Sequence, residues 1–521
     1  MSAPSTTLNA PADTDAPPRA VRRPRRRLWR RVVLLSLLAL WGGTAYWQTH
    51  KGMPAGTRVD SGWRTVPAAD VSFIADITAA DAYGRPVMSQ AIFDEVLGVI
   101  RSARRFLVLD YFLFNSQRGS IGTEAPVRAL SSQLRDALLE QKRKYPDLRV
   151  LFITDPINDM YGGSPSPDLA MLQAAGIDVV VTDLNRLRDS NYLYSSLWRL
   201  AIAWWNNGSL GEGWLPNPLD EGSQPVTFGS WARLANFKAN HRKVIIGDDG
   251  KGQLVGIVAS ANPHDASSAH SNVAARLSGP ALTPLLESEL DVARFSGWQG
   301  VIAVDPVPPA PPEDSTAFAT GQVVRTQILT EGAIRRALVE RINSTVRGEF
   351  IDIAMFYISD RHVIDALLAA SARGVNVRLV LDPNKDAFGR EKSGIPNRPV
   401  ASELVAASDG AIRVRWYRTH GEQFHTKLVL IYGTDRVWMT LGSANLTRRN
   451  IGDYNLEANV AIEAARNTPL ALQVIEYFET LWNNRAALGI EYTADYGVYA
   501  DPSQGHYWLY RTMESTGLST F

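Results

Sequence analysis

The stretches HRKVIIGD at 241–248 and HTKLVLIY at 425–432 are two versions of one phrase: His, any residue, Lys, then a strand-like apolar run. A chain that repeats such a phrase is constrained to fold as two copies of one unit. The surrounding pattern agrees. In the first half VSFIADI, FLVLDYFLF, LRVLFITDP and IDVVVTD read as strands, with helical periodicity in SQAIFDEVLGVIRSARR and near 126–143 and 167–175. The second half repeats the order with AIRRALVERINSTV, EFIDIAMFYI, DRHVIDALLAASARG, VNVRLVLDP and IRVRWYR. Strands alternating with helices predict α/β lobes with mixed, largely parallel sheets covered by helices. A second repeated phrase lies upstream of each His-x-Lys: TDPINDMYG at 154–162 and LDPNKDAFG at 381–389 share Asp-Pro-x-x-Asp-x-x-Gly after a strand. Asp, Pro, Asn and Gly favour turns anyway, but two such turns at matching places mark a duplication.

At 521 residues the chain exceeds what one core usually serves, which suits two lobes, here 66–303 and 317–490. VDPVPPAPPEDST at 304–316 reads as a semi-rigid linker, and 491–521 as a C-terminal extension. Lobe 1 also holds an insert, about 187–236, with Trp198, Trp204, Trp205, Trp214 and Trp231. It reads either as an amphipathic helix packed on its own lobe or as an element at a lipid interface. Lys+Arg 54 against Asp+Glu 53 leaves no basic excess, so no nucleic-acid partner is expected. The absence of cysteine excludes disulfides, thiolate nucleophiles and Cys-ligated zinc.

Residues 1–27 read as a disordered tail that turns basic, and Arg22–Arg31 leads into the apolar run Val32–Trp47. Sixteen residues span about 24 Å as a helix, short of a hydrocarbon core of about 30 Å, and the Arg block and terminal Tyr and Trp extend the reach. The segment at 28–48 is read as a membrane anchor with the lobes outside the cytoplasm. A cleaved signal peptide, with Gly43-Thr44-Ala45 as its site, and a buried core helix are the alternatives.

Residues two apart on a strand share a face, so His241 and Lys243 project together, as do His425 and Lys427. An imidazole beside an ammonium suits attack on an anionic phosphate ester. Only eight histidines occur, and two fall at matching points of the repeat. Downstream, Ala259-Ser260-Ala261-Asn262 and Gly442-Ser443-Ala444-Asn445 close small polar turns that offer donors to phosphate oxygens. By strand parity Asp248 and its counterpart Tyr432 point away from the His-Lys face, so they belong to strand anchoring. Asp435 is a candidate to recover what Tyr432 lacks.

These motifs resemble the phospholipase D superfamily, whose signature is His-x-Lys-x4-Asp, then Gly-Ser-x-Asn and a later Glu. The similarity covers about 70–490, and DYFLFN at 110–115 is similar to the cardiolipin and phosphatidylserine synthase-like branch. The resemblance implies two phospholipase D-like lobes sharing one active site, a phosphohistidine intermediate, and no cofactor or metal. It implies a phospholipid substrate at a membrane, with no obligate protein partner evident. It makes His241, Lys243, His425, Lys427 and Glu457 catalytic, has Ser260, Asn262, Ser443 and Asn445 bind phosphate, and gives Asp248 a structural place. Two departures stand out: Tyr432 replaces the second Asp, and Ala274, in SNVA at 271–274, stands where NLE at 455–457 has Glu457. Glu457 is expected to orient His425, which favours His425 as nucleophile. His264 and Asp265 are either substitutes for the missing acid beside His241 or a loop pair. Phosphatidyl transfer or phospholipid hydrolysis leads; a secreted nuclease and an inactive lipid-binding scaffold are the alternatives.

Overall fold

The computed structural model describes residues 24–117, 127–204, 213–218, 224–304, 315–387, 390–391, 393–485 and 489–521. The expected tail up to residue 23, Trp205 and linker residues 305–314 lie outside the described residues.

After α1 (Pro24–His50), β1 (Arg64–Pro67) precedes lobe 1. Lobe 1 supplies β2 (Val71–Ala80), β3 (Pro86–Ser89), β4 (Phe106–Tyr111) and β5 (Arg149–Thr154). It continues with β6 (Asp178–Val181), β7 (Lys243–Asp248), β8 (Leu254–Ala259) and β9 (Asn272–Ser278). Lobe 2 supplies β10 (Val323–Thr330), β11 (Phe350–Met355), β12 (Asn376–Leu381) and a small hairpin, β13 (Asp386–Ala387) with β14 (Arg390–Glu391). Then come β15 (Arg413–Tyr417), β16 (Lys427–Tyr432), β17 (Arg436–Gly442), β18 (Ala458–Ala465) and β19 (Thr493–Asp495).

Among the described residues, and apart from the β13-β14 hairpin, the strands form two sheets with a common plan. Lobe 1 runs β3-β2-β9-β8-β7-β4-β5-β6, and lobe 2 runs β1-β10-β18-β17-β16-β11-β12-β15-β19. Removing the outermost β3, β1 and β19 leaves two seven-strand sheets of the same order and pairing sense, which establishes the duplication in three dimensions. The sheets are mixed as expected, but their parallel share is smaller: only β4-β5-β6 and β11-β12-β15 are parallel. The reason is loop length. The connections 249–253 and 433–435 are too short for a crossover, so β7-β8 and β16-β17 pair as antiparallel hairpins.

Helices cover the outer face of each sheet. The inner faces pack on each other and on two further helices, Thr283–Phe295 and Pro469–Asn483, whose Leu285, Leu286, Val474 and Phe478 join the shared core. Val244, Ile246, Val258 and Val273 of lobe 1 share one core with Leu428, Met439, Leu441 and Val460 of lobe 2. Outward-facing Ile245 and Ile257 pack instead under α2 (Ile92–Ser102) and α3 (Leu130–Lys144). The alternation of adjacent residues between the two cores is the period-2 geometry of a strand. α2 shows why its sequence is helical: Ile92, Phe93, Val96, Leu97 and Ile100 make the buried stripe, with Asp94 and Glu95 in the first turn and Arg101 in the last. Asp76 Oδ1 caps it from β2, accepting from Ala91 N at 2.6 Å and Ile92 N at 3.0 Å. Outer helices thus enclose two sheets whose inner faces meet, and the seam between the lobes holds the paired motifs.

Candidate active site

Lys243 and Lys427 are the first residues of β7 and β16, and each histidine stands just ahead of its strand. Backbone bonds stitch each entry segment to the opposite lobe. His241 N donates to Leu456 O at 2.9 Å and Leu456 N to Ala239 O at 3.1 Å; Ser271 N donates to Gln423 O at 3.1 Å. Asn240 therefore bridges Leu456, and Phe424 bridges Ser271. The residues after Leu456 and Ser271 are Glu457 and Asn272, so each is delivered to the histidine of the other lobe.

This crossing corrects the expected pairing. Glu457 does not orient His425; its Oε1 and Oε2 lie 2.8 and 3.1 Å from His241 Nδ1. The counterpart for His425 is Asn272, whose Oδ1 lies 3.1 Å from His425 Nδ1. The Asn272 amide donates its N–H to His270 O at 3.3 Å, which turns its oxygen toward His425 and makes Nδ1 the protonated nitrogen. The ground for favouring His425 as nucleophile is thereby removed, and His241 needs no substitute acid. His264 Nδ1 lies 3.1 Å from Ser267 Oγ, while Asp265 accepts from Ser131 N and Oγ at 3.1 and 2.8 Å at the start of α3. Both are loop and capping residues. Position 274 misled because the Ser-to-acid spacing differs between repeats: Asn272 follows Ser260 by twelve residues, and Glu457 follows Ser443 by fourteen.

The serines mark these partners. Ser260 Oγ donates to Asn272 Oδ1 at 2.9 Å and accepts from Val273 N; Ser443 Oγ donates to Glu457 Oε2 and accepts from Ala458 N. Their hydroxyl protons are engaged behind the histidines, where the sequence reading had them reach phosphate. The asparagines differ. Asn262 Oδ1 accepts from Leu113 N at 3.2 Å, and Asn445 Oδ1 is buried without a hydrogen-bond partner. A buried amide left unpaired this way is costly unless a ligand completes it.

Lys243 Nζ donates to His241 O at 2.6 Å and lies 5.3 Å from the ring of Phe112. Lys427 Nζ donates to His425 O at 3.0 Å and lies 5.2 Å from Phe356. The same rings sit 4.9 and 5.0 Å from His241 and His425. Phe112 and Phe356 were missed from sequence; the available signal was their matching place, one residue past β4 and β11.

Burial sets the charge state. It pulls the His241 imidazole down to about 4 despite Glu457, and it drives His425 well below its usual range, with Lys427 and His270 adding to the effect. Lys243 falls to about 7 and Lys427 drops well below the usual lysine range, again from burial first. Burial would raise Glu457, but His241, Lys243 and the Ser443 hydroxyl bond outweigh it and keep the carboxylate low. The pocket thus holds neutral imidazoles and two lysines whose ammonium form is costly without an anion between them.

The repeated Asp-Pro turns belong to this machinery. Asp155 Oδ2 accepts from Asn240 N at 2.7 Å, and Asp382 Oδ2 from Phe424 N at 2.8 Å, so each turn grips the residue before a candidate catalytic histidine. Asp248 sits at the far end of β7, accepting from Arg104 N, Arg105 N, Phe106 N and Gly250 N. Tyr432 replaces that anchor by other means: it stacks on Phe350 at 5.1 Å and bonds Asp352 Oδ2 at 3.0 Å. Asp435 does not take over the anchor; its carbonyl accepts from Arg466 N at 2.8 Å. Among the described residues no cluster of His, Asp and Glu is suited to hold a metal ion.

The family profile described as cardiolipin synthase, PLD-like domain, matches residues 338–482, which contain His425, Lys427, Ser443, Asn445 and Glu457. The fold is similar to that of phosphatidylserine synthase from Haemophilus influenzae, with a TM-score of 0.52 at 10% identity over 90% of this chain and 96% of that one. Over residues 338–482 the chain is similar to the phospholipase D-like domain family. Cardiolipin synthase A of Cronobacter sakazakii is 26% identical over 197 residues, and that of Escherichia fergusonii 27% over 198. Each match covers 37% of this chain and 37% of the relative's length. The chain departs from the signature that its motifs resemble at two places, Tyr432 and Asn272, and both have defined partners in the fold.

Proposed function

We propose that the chain is a phospholipid phosphatidyltransferase or phosphodiesterase in which His241 is the nucleophile and His425 the acid. The observation that carries the assignment is the asymmetry of the orienting groups. The Glu457 carboxylate, accepting from His241 Nδ1–H, leaves Nε2 with its lone pair and stabilises the positive charge that grows on the ring as it bonds to phosphorus. His425 has a neutral amide instead, so its imidazolium is a stronger acid and gives up its proton more readily.

The bound phosphodiester anion favours His425 as imidazolium, protonated at both nitrogens. In the first step His241 Nε2 forms a bond to phosphorus while the bond to the leaving alcohol oxygen breaks, and His425 Nε2–H protonates that oxygen, leaving the ring neutral with its proton on Nδ1. In the second, His425 takes the proton of an incoming alcohol or water as its oxygen attacks phosphorus and releases His241. Lys243 and Lys427, with Asn262 and Asn445, hold the nonbridging oxygens, where a bound phosphodiester restores the charge that burial suppresses. The names of the relatives and the apolar α1 support a membrane lipid as substrate. The arginines ahead of the apolar run of α1 favour lobes outside the cytoplasm.

The test is to incubate the full chain with phosphatidylglycerol in mixed micelles, quench in denaturant and map the phosphoenzyme. We expect it on His241, retained and accumulating in His425→Ala, with turnover abolished by either His→Ala change. Glu457→Gln lowers kcat by about 10²–10⁴-fold. A phosphoenzyme on His425 overturns the roles, and turnover of plasmid DNA with no lipid turnover overturns the substrate class.

A further inference from the structure

α1 contains Arg27–His50, 24 residues long enough and apolar enough to cross a membrane, with none of its apolar window buried in the protein. At about 1.5 Å per residue it is about 36 Å long, longer than a hydrocarbon core of about 30 Å, so its last turns fall in the headgroup layer. Those turns do not float free of the lobes. Trp41 Nε1 donates to Leu193 O at 3.1 Å, Asp189 N to Gln48 O at 3.1 Å, Lys51 Nζ to Asn185 O at 2.9 Å, and Arg188 Nε to Lys51 O at 2.6 Å. The partner in these contacts is the start of the insert of lobe 1; α4 (Pro167–Ala174) lies ahead of β6, and the insert itself carries α5 (Tyr192–Leu197) and a π-helical turn over Trp198–Ile202.

Here the insert is two-sided. Ser195, Ser196 and Trp198 are buried on the lobe, and Asp189 is clamped by Arg199 and Lys238 at 2.8 and 2.6 Å. Leu197, Leu200 and Trp204, spaced as one helical stripe, are 50%, 36% and 77% exposed. Trp204 Nε1 already donates to Arg199 O at 2.8 Å, so its exposed ring presents little but apolar surface. Lys51 Nζ and Arg199 Nη2 both donate to Asn185 O, at 2.9 and 3.4 Å, which gathers two cations beside this stripe where α1 ends.

We propose that Leu197, Leu200 and Trp204 insert into the lipid bilayer at the boundary of acyl chains and headgroups, beside the end of α1. This rests on reading α1 as a membrane helix. The bilayer is the occupant because the stripe belongs to an element bonded to α1 from Trp41 onward, about 13 Å before the helix ends. An apolar stripe at that depth faces lipid, and its cationic flanks meet phosphate headgroups. With one helix alone the lobes could swivel; with a second contact they hold one orientation, which keeps the seam between the lobes at a constant height above the lipid.

The chain has no cysteine, so single labels can be placed in the full protein. Leu200→Cys and Trp204→Cys carry an environment-sensitive fluorophore in proteoliposomes of brominated lipid; Leu38→Cys in α1 is the membrane reference and Tyr83→Cys, 84% exposed on lobe 1, the solvent reference. Quenching at 200 and 204 at least half that at 38 supports the proposal. Quenching no greater than at 83 overturns it, whatever position 38 shows. Position 38 unquenched while 200 and 204 are quenched removes the anchor reading and leaves the lipid contact standing. In a second measurement, Leu200→Gln with Trp204→Gln raises KM for vesicle substrate about tenfold and leaves turnover of a short-chain soluble lipid unchanged; an unchanged vesicle KM overturns the proposal.

Discussion

At the scale of single residues, the two histidines differ in what accepts from Nδ1: the Glu457 carboxylate for His241 and the Asn272 amide for His425. That difference makes a sharp prediction. Asn272→Asp places a carboxylate where a neutral oxygen stands, and an opposite charge at hydrogen-bond distance favours the imidazolium. The His425 pKa rises, so the limb on which activity falls as pH increases moves alkaline, by about one unit or more in kcat/KM. An unmoved limb, with protein of normal stability, means His425 is not the acid. The types and numbers of these residues were legible in the sequence, since His-x-Lys and Ser-x-Asn occur twice. The partnership was not. Asn272 carried no signal because its spacing from Ser260 differs from the other repeat and because an amide is an ordinary residue at a strand end.

At the scale of elements, apolar runs such as FLVLDY and the Asp-Pro turns marked strands and their exits, because burial on both faces and turn chemistry are local properties. Strand direction was less legible, since hairpin and crossover are distinguished by loop length rather than by the strands themselves. Tyr432 shows how an element keeps its place after losing a motif residue. It links β16 to Phe350 and Asp352 on β11 and to Arg378 on β12, whose Nη2 lies 3.1 Å from its hydroxyl. Tyr432→Ala therefore costs about 3–5 kcal/mol by removing a buried ring, while Tyr432→Phe, losing the hydroxyl bonds alone, costs about 1 kcal/mol. Equilibrium urea unfolding checks both values. Restoring the motif with Tyr432→Asp does not recover stability, because Asp352 then faces a second carboxylate in a buried setting.

At the scale of the whole molecule, two sheets of one plan press their inner faces together and close a cationic seam. An anion bound there touches both lobes, so it stabilises the fold by mass action, about 2.7 kcal/mol at a hundredfold excess over Kd. Sulfate, dianionic across the neutral range, is the probe. Lys243, held near 7 by burial, is protonated below that pH and neutral above it, so sulfate affinity falls as pH rises through about 7. The sulfate-induced rise in Tm should shrink over the same interval and vanish in Lys243→Ala with Lys427→Ala; a rise independent of pH and of both lysines contradicts the paired-cation pocket. By itself the sequence determined the duplication, the α/β class and the residue types of the site, because repetition, periodicity and side-chain chemistry are written position by position. Only the tertiary structure decided that Glu457 serves His241 and Asn272 serves His425. The lobes pack face to face, and each motif's entry segment bonds to the opposite lobe, so the partner of His241 lies 216 residues away along the chain and that of His425 lies 153 away.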